Sequence, residues 1–481
     1  MRTMKAGRRV LANVVKLGLS KVAADVCTFL MFLVLARAYG PGGIGEYSFA
    51  MALTGFISLL CNFGFEAYSV REVARRPEFE ARCFGTFTLV GAALCPLVWL
   101  ATYALVAVAG FDRLRSNVVL VIGAYQILYF FSQIVLGRFK ARDEMATVGL
   151  LEGGLRLLIL GGTAGAVVAG ASLEAVLLVF PLAVGAYLAV AGLILTRTHR
   201  PLEWRVNRPL LKRAWPSVWP LGVAMVLHTG YMKVDILMLG ILRSETDVGV
   251  YAAAYRPVFG FWSLFAVMSH AAYPVFSRLF LTSHAELRRT FGVLLDYFAL
   301  VAGLAALAML CLADQVIPLF YGDRFEEAVP LFRLFSFLLL VTTINVVFDH
   351  FMQATNHEQF RMRGILLNIG INVGLNLYLV SRYGPMGALA ATLASEIILL
   401  ALVYTVMARK GLGVSLFHRI ARLLLCVGAG YGVWAAGCRI VNTWVAAAVG
   451  LLVYTSLYAL LRGIRARDLK MLAQWFRRNE G

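Results

Sequence analysis

Positive charge in this chain recurs in clusters, at every second gap between long apolar runs. Arg71, Arg75, Arg76 and Arg82 follow the run ending near Ser69, and Arg138, Lys140 and Arg142 follow the one ending near Gly137. Later clusters are Arg197 to Arg213, then Arg278, Arg288 and Arg289, then Arg361 and Arg363. Arg409, Lys410, Arg419 and Arg422 come next, and the tail from Arg462 to Arg478 is the last. The alternate gaps are poor in basic residues: Arg37, Arg113 with Arg115, none near Gly170, then Arg243, Arg324, Arg382 and Arg439. A chain threaded repeatedly through a bilayer keeps its Lys and Arg on the cytoplasmic side. The alternation therefore predicts an all-α polytopic membrane protein with both termini in the cytoplasm and an even number of spans.

A membrane-spanning helix needs roughly 20 mostly apolar residues. Fourteen stretches qualify, at about 17–37, 44–68, 83–109, 117–137, 145–168, 173–196, 214–241, 249–276, 291–320, 330–352, 363–381, 386–408, 420–438 and 443–462. The chain is 60% hydrophobic and 15% charged, where a soluble domain is roughly a quarter charged. A net charge of +19 would suit nucleic acid. Most of it lies in short cytoplasmic loops, where topology and anionic lipid headgroups account for it, so no nucleic-acid partner is expected. The basic N-terminal stretch imitates a signal peptide, but no small-residue cleavage pattern follows cleanly, and it reads as an uncleaved first helix. The seven cysteines stand singly, without CxxC spacing or a Cys/His cluster. They read as small packing residues, and neither a metal nor a cofactor is expected. The longest connections, 197–213 and 277–290, are too short for a folded extramembrane domain, which argues against an enzyme acting on an outer sugar or peptide.

The sequence repeats itself. "LARAYGPGGIGEYSFA" from Leu35 parallels "LGILRSETDVGVYAAA" from Leu239, matching Gly45-Glu46-Tyr47 to Gly249-Val250-Tyr251. "GRFKARDEMATVGLL" from Gly137 parallels "MQATNHEQFRMRGIL" from Met352. An even number of spans per copy gives a parallel repeat about an axis along the membrane normal. The expected organisation is a six-helix N-lobe over 1–200, a six-helix C-lobe over 201–410, and a helix pair with a basic tail over 411–481. Two lobes around a cleft is a transporter architecture.

Ionisable side chains inside a bilayer cost about 2.5–3.5 kcal/mol each, so they face a cavity or a partner. Lys21 and Asp25 are spaced to pair on one helix face, as are Glu152 and Arg156. Arg156 falls near the middle of its span, where snorkelling is hardest. His228, Tyr231 and Asp235 share a stripe with Lys233 on another, and Arg256 precedes Pro257. Asp296, Asp314 and Asp349 lie near helix ends, within reach of the interface. Asn368, Asn372 and Asn376 line one face, and Thr342, Asn345 and Asp349 another; a wet path and helix–helix hydrogen bonding both explain them. Prolines 96, 181, 216, 220, 257 and 274 are expected to bend their spans. The charge balance tilts towards an anionic ligand, since a cation exporter would want surplus carboxylates.

The stretch from Leu35 to Arg75 resembles the opening of polysaccharide and O-antigen flippases. Gly40-Pro41, Gly45, Tyr47, Gly64, Arg71-Glu72 and Ala74-Arg75 stand in the places of that family's outer turn and following helix. Asp235 to Arg256 and Arg382 to Glu396 are similar to its seventh–eighth and eleventh–twelfth helices. The resemblance implies a member of the multidrug/oligosaccharidyl-lipid/polysaccharide exporter superfamily. It implies a bacterial inner-membrane flippase that carries a polyprenyl-pyrophosphate-linked oligosaccharide to the outer leaflet by alternating access. The partners so implied are that lipid-linked oligosaccharide, membrane lipids, and polysaccharide polymerase and assembly proteins. Arg156, Arg256, Lys21 and Lys233 are then expected to bind the anionic head. Asp25, Asp235 and Glu152 are expected to couple an ion or hold those bases. A lipid II flippase and a cation-coupled multidrug antiporter share the fold and remain alternative readings. A membrane-embedded glycosyl polymerase would need a larger outer loop than YGDRFEE at Tyr321 to Glu327.

Overall fold

A computed structural model of the chain describes the backbone of residues 2–461 and the side chains of 22–461, apart from those of 263, 264, 266, 267, 270 and 271. Fourteen α-helices, and no strand, occur among the described residues. The chain folds as two compact units, Met1–Gly249 and Val250–Gly481. The first holds α1 (Arg2–Ser58), α2 (Phe65–Arg75), α3 (Glu80–Ala109), α4 (Arg113–Ala141), α5 (Met145–Val168), α6 (Leu173–Leu177), α7 (Val179–Thr198) and α8 (Arg208–Leu242). There α1 packs on α4, α5 and α8, while α4 also receives α3 and α7. The second holds most of α9 (Glu245–Thr282), then α10 (His284–Tyr321), α11 (Ala328–Ala354), α12 (Glu358–Arg409), α13 (Leu416–Gly437) and α14 (Thr443–Leu460). There α10 packs on α11, α13 and α14, and α11 on α12.

Eleven helical segments among the described residues are long and apolar enough to cross a membrane. Two of these are each a pair, because α1 bends at Gly40 (φ 67°) and α12 at Gly384 (φ 56°). Counting both arms of each, and the 38-residue α9, gives the fourteen spans expected. The chain is an all-α polytopic membrane protein. Both bends are Gly-Pro. Glycine supplies the left-handed turn, and the proline that follows opens the next arm where a missing N–H costs nothing.

Two expectations are corrected. The second span does not run on to 68: its helix ends at Ser58, a 3-10 turn covers Leu59–Cys61, and Phe63 (φ 30°) and Gly64 (φ 84°) turn the backbone. Asn62 Oδ1 then accepts from the Glu66 N–H at 3.0 Å, and α2 starts afresh. Hydropathy missed the break because the apolar residues continue: Phe65 and Tyr68 bury against Phe84 and Phe87. The stretch 277–290 is almost wholly helical, because Ser283 accepts from the Glu286 N–H (3.3 Å) and starts α10 directly after α9. Pro96, Pro181, Pro216, Pro220, Pro257 and Pro274 lie inside α3, α7, α8 and α9, whereas the backbone leaves helical angles within α1 and α12 at Gly40 and Gly384.

The repeat glycines meet one another. A Cβ on Gly45 would collide with the Glu245 carbonyl, and one on Gly249 with the Pro41 carbonyl. The start of the second arm of α1 and the start of α9 thus cross backbone on backbone. Arg115 ties the crossing: its Nε donates to both Glu46 oxygens (3.0 and 3.1 Å), Nη1 to the Gly240 carbonyl (3.3 Å), and Nη2 lies 3.4 Å from Glu245. Gly249→Val is expected to destabilise the fold by about 1–3 kcal/mol or more, since overpacking here presses on backbone. Gly42→Val, whose Cβ would meet open space, serves as the control in the same detergent melt.

Candidate functional site

Arg156 sits halfway along α5, half-buried. Its guanidinium donates to two phenol oxygens of α4, Tyr125 at 3.4 Å and Tyr129 at 3.3 Å, and lies 5.3 Å from the Tyr129 ring centroid. The two tyrosines recur at a four-residue interval and stack at 6.0 Å, and Phe180 of α7 meets Tyr125 edge-on at 5.3 Å. Tyr187 of α7 is buried within electrostatic reach of Arg156 and Glu152. Glu152, one turn earlier on α5, acts on Arg156 through its charge, yet among the described residues no carboxylate lies within ion-pair distance of Arg156. Five N–H donors on one guanidinium, two of them in long bonds to neutral phenols, leave a strong binder for an oxyanion. Each phenol that accepts from Arg156 still has its own proton to donate.

The other expected residues are placed as follows. The side chain of Lys21 lies outside the described residues, and Asp25 is half-buried on α1. Lys233 and Asp235 are half-buried on α8, two residues apart and so on different faces, and each has an interaction partner. Arg256 belongs to the second unit, half-buried on α9, with Tyr321 of α10 in electrostatic reach. Next to it Tyr251 and Tyr255 stack at 6.5 Å, and Tyr255 packs on Trp262. Each unit therefore holds an arginine on a long helix within electrostatic reach of a tyrosine.

The asparagine stripe is an interhelical hydrogen-bond seam, and it holds a carboxylate that sequence reasoning passed over. Glu396, buried on the second arm of α12, accepts from Asn345 Nδ2 of α11 (2.5 Å) and Asn368 Nδ2 (3.3 Å). Asn372 donates to Thr392 and Ser395 (3.0 and 3.2 Å), and Asn376 to Asn372 Oδ1 (3.1 Å). The available signal was Thr392, Ser395 and Glu396 at helical spacing opposite the asparagines. The three helix-end aspartates are ion-paired: Asp296 to Arg419 (3.1 Å) and Arg422, Asp314 to Arg333, and Asp349 to Arg361.

Several basic residues that mark topology also build structure. Buried Glu80 takes Arg138 Nη2 at 3.0 Å and Arg142 Nη2 at 2.5 Å, and Arg138 also donates to the Arg200 carbonyl at 2.7 Å. Beside this network His199 ends α7 with its side chain fully covered. Burial holds its pKa below the usual histidine value, Arg142 and Arg138 push the same way, and Glu144 and Glu80 oppose them. The folded state thus binds this proton less well than the unfolded chain. Its stability is full above the unfolded value near 6.5 and declines as pH falls through the lowered folded value. Melting the wild type and His199→Gln between pH 8 and pH 5 should show a loss in the wild type that the variant lacks.

The sequence pattern described as "Polysaccharide biosynthesis protein" matches residues 10–280. The chain belongs to that family. It is 22% identical, over 392 residues, to the probable low-salt glycan biosynthesis flippase Agl15 of Haloferax volcanii, covering 79% of this chain and 80% of that one. In shape it is similar to a lipid II flippase, MurJ, in an inward closed conformation: TM-score 0.77 at 13% identity, covering 95% of this chain and 99% of that one. An inward-facing multidrug resistance transporter of the MATE family matches at TM-score 0.61 and 13% identity, over 83% of this chain and 98% of the other. At such identities the fold is what is shared. The family places the chain in polysaccharide biosynthesis, and its fold is shared with the lipid II flippase and the MATE-family transporter.

Proposed function

We propose that this chain is a flippase that moves a polyprenyl-pyrophosphate-linked oligosaccharide from the inner to the outer leaflet of the plasma membrane. The observation that carries the proposal is Arg156: a guanidinium at mid-span, held by two tyrosine hydroxyls and a ring, in a chain of a polysaccharide biosynthesis family. Pyrophosphate and sugar cannot cross roughly 30 Å of hydrocarbon unaided. A fixed cation among phenol donors offers the head a replacement for its hydration, while the prenyl chain stays in lipid. Arg256, Lys233 and Lys21 are proposed as further contacts for the head, with Asp25, Asp235 and Glu152 coupling an ion or holding these bases. The lobes are 1–200 and 201–410, with 411–481 an added helix pair and tail. Rocking of one lobe against the other exposes the head to each leaflet in turn. The protein is not an enzyme, and it keeps both termini in the cytoplasm; no ATP-binding motif of the GxxxxGK[ST] type occurs in the sequence, so its energy comes from an ion gradient, the membrane potential or consumption of its product. Polymerase and assembly proteins take over its product.

A lipid II flippase is the second reading, favoured by a likeness to one that extends over 95% of the chain. Complementation separates the two. Expressed in bacteria deleted for a polysaccharide flippase, the wild type should restore surface glycan. Rescue only of cells depleted of lipid II flippase would move the substrate to lipid II, and protection only against cationic dyes would make it a drug antiporter.

A further inference from the structure

A second polar group lies towards the cytoplasmic end of α4, unused by the anion site. Tyr125, Tyr129 and Gln133 follow one another at four-residue steps on α4, and Lys140 comes two turns later, so all four share one face. Each four-residue step advances about 6 Å along the axis. Lys140 Nζ donates to Glu66 Oε1 at 2.6 Å and to Gln133 Oε1 at 3.2 Å. Asn62 Nδ2 reaches Glu66 Oε2 at 3.4 Å. The Lys140 and Glu66 side chains keep 23% and 21% of their surface open, whereas Gln133 and Asn62 behind them are 9% and 2% exposed. The ion pair is the partly exposed side of the group, and the two amides are its buried side.

Gln133 Nε2 is buried there without a hydrogen-bond partner. A sealed amide N–H that lacks an acceptor is unfavourable, and an arriving acceptor would relieve it. The neighbouring groups say what kind of ligand would bring one. A phosphate brings acceptors only, and the Glu66 carboxylate at the centre of the group would repel it. A sugar brings hydroxyls that donate as well as accept. Vicinal hydroxyls can donate to Glu66 while accepting from Gln133 Nε2 and Lys140 Nζ.

We propose that Gln133, Glu66, Asn62 and Lys140 form a subsite for the sugar attached directly to the pyrophosphate. The phosphates lie one to two turns away, at Tyr125, Tyr129 and Arg156. The head group is then laid along α4, anion at mid-membrane and glycan towards the cytoplasmic end. This rests on the flippase reading above.

The test uses the purified full chain in detergent and three probes: farnesyl pyrophosphate, and the same pyrophosphate carrying glucose or galactose. Binding is read from tryptophan fluorescence. The wild type should bind at least one glycosylated probe about fivefold or more tighter than the bare pyrophosphate. Gln133→Leu and Glu66→Gln should each lose that advantage and keep the bare-pyrophosphate affinity within about twofold. Gel-filtration profiles show whether each variant is folded, and Glu66→Gln, nearly isosteric, stands in if Gln133→Leu aggregates. Equal affinity for all three probes in the wild type overturns the subsite while leaving the anion site standing. So does an advantage that survives in both variants. A wild type that binds none of the probes overturns the flippase reading itself.

Discussion

Arg156→Ala should lower surface-glycan restoration at least about tenfold at unchanged membrane level. Two charge-assisted hydrogen bonds from one guanidinium to an oxyanion contribute roughly 1.5–3 kcal/mol each, and about 1.4 kcal/mol is already tenfold. Arg156→Lys should recover only part of the activity, because a point charge replaces the planar fork that Tyr125 and Tyr129 hold in place. Tyr129→Phe should fall between wild type and Arg156→Ala, since it removes one hydroxyl and leaves the ring under the cation. Surface glycan quantified against epitope-tagged protein in the membrane fraction decides the matter. Full activity in Arg156→Ala would make the residue a packing feature and remove the main support for an anion site.

The second large effect is on stability. Glu80→Ala strips the shared carboxylate from Arg138 and Arg142, and Arg138 is only 4% exposed. Breaking a buried pair by removing one partner costs about 3–5 kcal/mol, because an uncompensated charge stays behind. Thermal unfolding in detergent should show a clear drop. Glu80→Leu combined with Arg138→Met should regain much of it, since both buried charges are then gone. A Glu80→Ala melt indistinguishable from wild type would show that the network is not a stabilising element and that Arg138 finds water instead.

Burial explains what could and could not be foreseen at the site. Arg156 stood out because a cation at mid-span is rare and expensive whatever surrounds it. Its expected partner was Glu152, the neighbour that helical spacing offers. The structure gives the hydrogen bonds to Tyr125 and Tyr129, which come from another helix and leave no trace in the spacing of α5. Glu396 was overlooked for the opposite reason. Near the middle of an apolar arm it resembles an isolated polar residue, and only the packing of α11 and the first arm of α12 supplies its amide donors. Gln133 and Glu66 were unmarked because neither residue type is unusual near a helix end. Their meaning comes from the Lys140 bridge and from one buried N–H.

Residue order was enough to show that the chain spans a membrane many times, roughly where each span lies, and which residues carry charge inside it. These follow from transfer free energies, which each residue contributes locally and which sum along the chain. Tertiary structure alone decided where helices break without losing apolar character, as at Gly64, and that the repeat glycines Gly45 and Gly249 cross one another. It alone decided which groups meet each buried charge. A hydrogen bond is settled by a few ångströms between atoms far apart in sequence, and residue order carries that distance only through the fold.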